Sequence, residues 1–322
     1  MPGSERVVLG SPPGARIMGS DSLEPCPAMN RQFRRTATTL LALAPLALAG
    51  CSGSADDAAD SGASAMASAE PRVPLAPTGP GEMPPAILGN GGELLGADLN
   101  YLDGDAATTG YLAVPEGDGP FPALIIIHEW NGLVDRVRQV ADDFAAEGYV
   151  TLAADLYQGR TGSNPEENIA LMQEAMADMP TVVANLNAAV AHLKARPDVT
   201  GRVGAMGWCF GGGVALSFGL DGDNHDATAI FYGRLVDDPA VLANMDHEVY
   251  GTFAREDSGP SPEQVEAFEA ALRSAGIEND LHIYDDVDHG FWLRVDGDTE
   301  LRSEPGLDAW ERLKAYLDRT LR

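Results

Sequence analysis

The pentapeptide 207–211 constrains the fold of this chain more than any other segment. It reads Gly-Trp-Cys-Phe-Gly and directly follows the short apolar run 203–206. Such a run predicts a buried strand, and a helix is expected from about Cys209 onward. Glycines on both sides of the cysteine permit a sharp strand-to-helix turn, because a side chain at either place would clash with the neighbouring strand and helix. The segment therefore predicts a nucleophile, Cys209, at the tip of a turn, with a buried structural cysteine as the alternative.

An acid and a histidine follow Cys209 in the order that completes a catalytic triad. Asp257 comes after the predicted strand 249–253, and His289 comes after the predicted strand 281–284. A histidine can take the proton of a thiol, and a carboxylate can hold the imidazole in the required tautomer. The remaining histidines lie in predicted helices, strands or polar loops, so His289 is the predicted base. Glu256 is the neighbouring alternative to Asp257 as the acid.

Predicted strands and helices alternate along the chain after an opening hairpin over 97–102 and 109–114. The further strands are expected at 123–127, 149–154, 203–206, 229–232, 249–253 and 281–284. Helices are expected over 134–147, from 164 to 194 with a break at Pro180, and from 209, 262 and 304. This alternation predicts a doubly wound, mostly parallel α/β sheet with helices on both faces, in a single domain over 88–322.

The N-terminal 50 residues resemble an export signal. A basic segment containing Arg31, Arg34 and Arg35 precedes the apolar stretch 36–47, which is too short to span a bilayer. The sequence Leu-Ala-Gly-Cys at 48–51 is similar to a bacterial lipoprotein cleavage site, so we expect cleavage before Cys51 and lipidation of its thiol. An ordinary signal peptide is the alternative. The basic segment also indicates that translation starts at Met29.

Residues 51–87 are rich in alanine, serine, aspartate and proline, which predicts a flexible tether between the lipid and the domain. Cys26 falls in the leader and Cys51 would carry the lipid. Cys209 is then the one free thiol of the mature protein, so no internal disulfide can form. A lone thiol in an oxidising compartment is expected to be deeply buried or functional.

The chain has 49 acidic and 21 basic side chains and a net charge of −28. Such an acidic surface repels nucleic acid and anionic lipid headgroups, so membrane association is expected to come from the lipid on Cys51 alone. The Gly-rich segment 89–92 has no following Gly-Lys-Ser/Thr, so it is not a phosphate loop. The histidines and carboxylates show no zinc-type spacing. We therefore predict no cofactor and no metal.

Several motifs, in order and at suitable spacing, resemble those of the dienelactone hydrolase family, which has the α/β-hydrolase fold. They are His128-Glu129-Trp130-Asn131-Gly132-Leu133, Asp155-Leu156-Tyr157, Gly207-Trp208-Cys209-Phe210-Gly211-Gly212, Phe231-Tyr232-Gly233, Glu256-Asp257 and His289-Gly290-Phe291. The resemblance covers most of residues 95–320. It implies that the triad residues keep the roles given above and that Glu129 holds the thiol until substrate binds. It also implies an oxyanion hole formed by the backbone N–H groups of Trp130 and Phe210.

The chain departs from this family at the two positions where arginines of the family bind a carboxylate of the substrate. Arg160 follows the Asp-Leu-Tyr segment one position late, and Arg294 stands five residues after His289 instead of four. Either arginine can reach the pocket through a loop adjustment or be a surface residue. The aromatic side chains of Trp130, Trp208, Phe210 and Trp292 are expected to surround an apolar or aromatic acyl group, with packing as the alternative. Tyr157, in the Asp-Leu-Tyr segment, is a further expected substrate contact.

The sequence thus predicts an exported, lipid-anchored hydrolase that cleaves a small ester, thioester or lactone through a cysteine acyl-enzyme. The alternative is a membrane-tethered or envelope-associated binding protein that has this fold and little turnover. A redox role for the thiol is weakened because no second cysteine could resolve an oxidised Cys209. Turnover that disappears in both Cys209→Ala and His289→Ala would identify the hydrolase, and no turnover above these variants would favour the binding protein.

Overall fold

A computed structural model of the chain describes residues 70–322. The strands are β1 (Ala97–Leu99), β2 (Gly110–Ala113), β3 (Phe121–Ile127), β4 (Val150–Ala154), β5 (Val199–Trp208), β6 (Ala227–Phe231), β7 (Val249–Ala254) and β8 (Asn279–Tyr284). The helices are α1 (Asp135–Ala146), α2 (Pro165–Ala177), α3 (Met179–Ala195), α4 (Phe210–Asp221), α5 (Pro239–Leu242), α6 (Pro262–Ala275) and α7 (Thr299–Leu321), and a 3₁₀ segment covers Trp292–Gly297.

The eight strands form one sheet in the order β1-β2-β4-β3-β5-β6-β7-β8. Strands β1 and β2 pair antiparallel to each other, and β2 pairs antiparallel to β4. From β4 to β8 every pairing is parallel. The opening hairpin and the mostly parallel, doubly wound sheet that the sequence predicts are therefore confirmed.

Helices cover both faces of the sheet, which explains why its central strands are apolar on both sides. Leu124 and Ile126 of β3 pack in the core that also contains α1 and α7 residues. Ile125 and Ile127 of the same strand face the opposite core, against α3 and α4. Burying aliphatic side chains on both faces stabilises the strand by about 1.5–3 kcal/mol for each large side chain.

The parallel strands bring the residues that follow them to one edge. The segments after β3, β5, β6, β7 and β8 all leave the sheet at its carboxyl end. Open α/β sheets bind ligands in the crevice outside these carboxyl ends. The fold therefore collects the segments that begin at His128, Cys209, Tyr232, Arg255 and Asp285 into one region.

The folded part of the chain begins earlier than the predicted boundary at residue 88. Val73 is buried and forms a bridge to Pro115, with its N–H donating to the Val114 carbonyl at 2.8 Å. Ala86 and Ile87 are fully buried, and the Ala86 N–H donates to the Asp143 carboxylate at 2.8 Å. Residues 70–87 belong to the domain because a few apolar side chains and backbone bonds hold a segment whose composition is that of a linker.

Residues 1–69 lie outside the described part of the structure. The predicted leader, the lipidation of Cys51 and the first part of the tether fall there and stay predictions. Over residues 70–322, no helix has both the length and the apolar character needed to cross a bilayer.

Candidate active site

Cys209 lies at a strained turn between β5 and α4. Its φ of 56° and ψ of −116° place a residue that is not glycine in a left-handed conformation, which is costly unless the surroundings enforce it. A Cβ at Gly207 would overlap the Gly211 carbonyl, and a Cβ at Gly211 would overlap the carbonyls of Ile127 and His128. The turn that the sequence predicts is present, and the two glycines are sterically required for it.

The surroundings of the thiol favour negative charge. Helix α4 begins at Phe210, so Cys209 occupies the N-cap position, where the helix dipole is positive. The Cys209 N–H donates to the Phe231 carbonyl at 3.0 Å, which fixes the turn to the neighbouring strand β6. The thiol is partly exposed and is the one free cysteine among residues 70–322. The Cys209 side chain is therefore accessible from solvent at the N-terminus of a helix.

His289 and Asp257 form a short hydrogen bond. The two side chains lie 2.6 Å apart between Nδ1 and Oδ2, and Asp257 is almost completely buried. Since the carboxylate accepts, Nδ1 carries the proton and Nε2 is left for the reacting atoms. The other Asp257 oxygen accepts from the Gly259 N–H at 2.8 Å. Asp257 and not the exposed Glu256 is the partner of the histidine.

The pKa of His289 reflects both burial and its acidic neighbours. Burial of the imidazole lowers the pKa, but the hydrogen bond to Asp257 and the nearby Cys209 outweigh it and raise the pKa to about 10. The ring is therefore protonated at neutral pH. The edge of the Tyr232 ring packs on the imidazole with centroids 5.0 Å apart, which helps to fix its orientation. An imidazolium beside the thiol is the arrangement that activates a cysteine nucleophile.

Glu129 lies buried near the same centre, with Arg294 as its charged neighbour. Arg294 Nη2 is 3.6 Å from Oε1, which is an ion pair and too long for a hydrogen bond. Burial raises the pKa of Glu129, while Arg294 and His289 oppose this shift. Its Oε1 has no hydrogen-bond partner among residues 70–322. The role expected for Glu129, to hold the resting thiol, stays a prediction.

His128 connects two loops at the edge of the site. Burial lowers the pKa of this fully buried histidine, so its ring is neutral. Nδ1 donates to the Glu129 carbonyl at 2.6 Å, and Nε2 accepts from the Leu156 N–H at 3.3 Å. His128 thereby fixes the loop that carries Glu129 and Trp130 to the loop that follows β4.

Two backbone amides are available as oxyanion donors. Phe210 is the first residue of α4, so its N–H has no acceptor within the helix. Trp130 follows β3, and within the described chain its N–H donates to no backbone carbonyl. The Tyr157 hydroxyl donates to the Trp130 carbonyl at 3.2 Å and holds that peptide in place. Tyr157 is fully buried and packs on Phe210, so it supports this loop.

The structure does not place Arg160 in the site. Its guanidinium forms two hydrogen bonds to Glu174, at 2.9 and 2.7 Å, and its Nε donates to the Tyr157 carbonyl. It lines a separate cavity of about 210 Å³ that does not include Cys209. Arg160 therefore pairs with Glu174 of α2 and does not extend toward Cys209.

Trp208 and Trp292 are core residues and not substrate contacts. Both are fully buried, and their rings stack with centroids 5.7 Å apart. Trp292 also packs near Trp310 of α7. Successive residues of a strand point to opposite faces of the sheet. The Trp208 side chain packs in the core that also contains α1 and α7 residues, and the chain turns at the next residue, Cys209. Packing, the alternative weighed for these rings, is the correct interpretation.

A cavity of about 640 Å³ opens beside Cys209 and His289. Its wall includes Met172 and Met176 of α2 and Met179 of α3. The other lining residues are Phe210, Gly213, Val214, Leu216, Ser217, Tyr232, Arg234, Leu235, Val236, Gly259, Pro260 and Gln264.

Sequence reasoning missed the methionines and Arg234 as cavity residues. Nothing in the spacing of α2 marks its methionines as facing a site, since helical methionines usually pack in a core. Arg234 lies just after the Phe231-Tyr232-Gly233 motif, and this position was the available signal. Among residues 70–322, no group of three or more histidine, cysteine or carboxylate side chains is arranged to hold a metal ion.

A mostly parallel sheet with a cysteine at a strand-turn-helix junction, an acid after β7 and a histidine after β8 is typical of an α/β-hydrolase. A sequence model of the dienelactone hydrolase family matches residues 108–321. The chain belongs to the dienelactone hydrolase family and is a hydrolase of that kind.

Individual relatives agree with this assignment. A protein of Methylorubrum extorquens, provisionally named carboxymethylenebutenolidase, is 29% identical over 236 residues, which cover 69% of this chain and 80% of that protein. The solved structure named m3DLH aligns with a TM-score of 0.63 and 26% identity, over 70% of this chain and 98% of that chain. A dienelactone hydrolase-like promiscuous phosphotriesterase from metagenomic libraries aligns with a TM-score of 0.62, 21% identity and the same two coverages. This last likeness shows the fold alone.

Proposed function

We propose that this hydrolase cleaves small esters, thioesters or lactones with Cys209 as nucleophile, His289 as acid and base, and Asp257 as the residue that orients His289. One observation carries the proposal. Cys209 stands in a strained conformation at the mouth of a cavity that it shares with His289, whose Nδ1 is bonded to a buried carboxylate. Strain of this kind persists where it serves a function.

The first half of the reaction forms a thioester. The Cys209 thiolate attacks the substrate carbonyl, and the oxygen that becomes negative accepts hydrogen bonds from the Trp130 and Phe210 N–H groups. The tetrahedral intermediate collapses as the bond to the leaving oxygen or sulfur breaks. The His289 imidazolium gives its proton to that leaving atom. The products of this half are the free alcohol or thiol and an acyl group on Cys209.

The second half uses water. Neutral His289 accepts a proton from a water molecule, whose oxygen attacks the thioester carbonyl. The carbon–sulfur bond then breaks, which releases the acid and restores the thiolate and imidazolium. Asp257 accepts the hydrogen bond from Nδ1 throughout and so keeps that proton on the imidazole. For a lactone, the alcohol and the acid leave as one molecule.

The test follows hydrolysis of short aryl esters, thioesters and lactones by the full chain and by its Cys209→Ala and His289→Ala variants. We expect turnover in the parent chain and a loss of at least about a thousandfold in both variants. Circular dichroism of each variant checks that it folds. Turnover that persists in Cys209→Ala would contradict the proposed nucleophile. A parent chain that binds these substrates without hydrolysing them would favour the binding-protein alternative.

We also propose that the enzyme is exported and anchored to the cell envelope by a lipid on Cys51, on the outer-membrane side that faces the periplasm if the cell has an outer membrane. The Leu-Ala-Gly-Cys sequence after an apolar stretch supports this proposal. Feeding cells an alkyne fatty acid should label the parent chain and leave a Cys51→Ser variant unlabelled. Equal labelling of the two chains would reject lipidation at this residue.

A further inference from the structure

Arg234 stands beside the nucleophile's helix, at the carboxyl edge of the sheet. It follows β6 by three residues, and a Cβ built on Gly213 would lie 3.2 Å from the Arg234 Cβ. The Gly213 N–H bonds to the Cys209 carbonyl at 3.2 Å, so Arg234 packs one helical turn beyond the nucleophile. Its side chain is exposed and lines the cavity that contains Cys209 and His289.

Arg234 differs from the other arginines in its lack of an acidic partner. Every other arginine in residues 70–322 has a carboxylate oxygen within 4.0 Å. Arg234 has none within this part of the chain, although Asp237 and Asp238 follow it closely in a protein of net charge −28. The carboxylate of Asp238 instead caps α5. An unpaired cation in so acidic a protein leaves its donors available to a ligand.

The charge and polarity of the other cavity-lining residues indicate which kind of ligand would bind Arg234. Among the cavity-lining residues within 70–322, Arg234 is the one that is permanently charged, and none is an aspartate or glutamate. The methionines of α2 and α3 give the cavity an adaptable apolar wall. A guanidinium offers a planar set of donors that matches a carboxylate in a bidentate pair.

We propose that Arg234 is a specificity-determining residue that binds an anionic group of the substrate, most simply a carboxylate, joined to the scissile carbonyl by an apolar segment that packs on the methionine wall. The substrate class is then carboxylate-bearing esters or thioesters, charged on the acyl or the leaving-group side. This inference rests on the proposed function, because it concerns the same cavity and the same reaction.

The two other candidate arginines are already occupied. Arg160 is bonded to Glu174 outside the cavity, and Arg294 is turned toward Glu129. A substrate carboxylate at Arg294 would have to compete with a buried acidic side chain. At Arg234 the same carboxylate meets a cation that has no carboxylate partner among residues 70–322.

The experiment compares matched ester pairs in the full chain. Nitrophenyl monoesters of straight-chain dicarboxylic acids are compared with esters of monocarboxylic acids of equal length, and a second pair carries the carboxylate on the phenol. The measured quantity is the ratio of kcat/KM for the charged ester to that for its neutral match, which cancels a general loss of activity. We expect Arg234→Gln to lower this ratio roughly five- to tenfold in at least one pair, since the cation is exposed. Arg234→Lys should restore part of it.

Arg202→Gln is the matched control, because Arg202 is also exposed but lies at the start of β5, far along the strand from Cys209, and pairs with Asp226. It should leave the ratio unchanged. An unchanged ratio in Arg234→Gln for both pairs, or a drop caused by Arg294→Gln instead, would overturn the assignment. If the parent chain hydrolyses neither ester of any pair, the proposed function itself fails. Turnover that requires Cys209 but ignores Arg234 rejects only this inference.

Discussion

Asp257 shows how one buried residue sets the chemistry of another. The imidazole of His289 is more than half withdrawn from solvent, which alone would favour its neutral form. The short hydrogen bond from Nδ1 to the buried Asp257 carboxylate, together with the nearby Cys209, reverses this preference. Asp257 thereby helps to keep His289 protonated, and in the proposed mechanism this proton goes to the leaving group.

Asp257→Asn should lower kcat/KM by roughly a hundredfold or more, because the amide no longer enforces the productive tautomer. It should also move the alkaline limb of the pH–rate profile to lower pH. The sign follows from the charge: Asp257 raises the pKa of His289, so without it the imidazolium loses its proton at lower pH. Rates measured from pH 5 to 11 test both statements. Glu256→Gln, at the exposed neighbour, is the control, and an unmoved alkaline limb in Asp257→Asn would refute the assignment.

The strands and the turn that position the site could be predicted from the sequence, because each is determined by the residues of a short segment. Aliphatic runs predict the parallel strands, and a cysteine flanked at two residues' spacing by glycines predicts the turn. The break expected at Pro180 was off by two residues for a physical reason. Pro180 lies in the first turn of α3, where proline is favoured, and Asp178 caps that helix by accepting from the Thr181 N–H.

Other features depend on contacts that no local pattern records. Arg160 and the two tryptophans were expected at the substrate, but each finds a partner elsewhere in the fold. The composition of residues 51–87 predicts a tether, yet Val73 and Ile87 are buried, because two apolar side chains in a polar segment do not show what they will pack against. The lining of the cavity by α2 likewise follows from the packing of the helix on the sheet.

The turn between β5 and α4 tolerates no side chain at Gly211. Gly211→Ala should lower the free energy of unfolding by about 1–3 kcal/mol and reduce kcat/KM, because the new methyl group would overlap the carbonyls of Ile127 and His128. Urea denaturation and ester hydrolysis measure the two effects. Gly92→Ala is the matched control, since an added Cβ there meets nothing within 4 Å, and it should change stability by less than about 0.5 kcal/mol. A Gly211→Ala protein as stable and active as this control would contradict the steric argument.

At the level of the whole domain, the segment 70–96 before β1 is held against the sheet and α1 by hydrogen bonds and buried side chains. Val73 pairs with the chain after β2, and its carbonyl accepts from the Glu116 N–H at 2.8 Å. The carboxylate of Asp142 accepts from the N–H groups of Leu95 and Gly96 and from the Tyr111 hydroxyl. These bonds hold the 70–96 segment against α1 and β2, on the core face opposite α3 and α4.

A chain that begins at residue 88 should therefore be less stable than one that begins at residue 70. Removing the buried Val73 and Ile87 alone is expected to cost about 3–6 kcal/mol, since each buried side chain contributes about 1.5–3 kcal/mol. Thermal and urea denaturation of the two chains would show the difference. Equal midpoints would mean that residues 70–87 are a linker, as their composition alone suggests.

The central claim is that Cys209 carries the acyl group during turnover. The most direct test mixes the enzyme with a slowly hydrolysed aryl ester, quenches with acid within the first turnovers, and measures the intact mass. We expect a mass increase equal to the acyl group, located on the peptide that contains Cys209 and removed by hydroxylamine. A Cys209→Ala chain should show none. An acyl adduct on another residue would contradict this role of Cys209. So would steady hydrolysis in which Cys209 stays unmodified, together with turnover that persists in the Cys209→Ala variant.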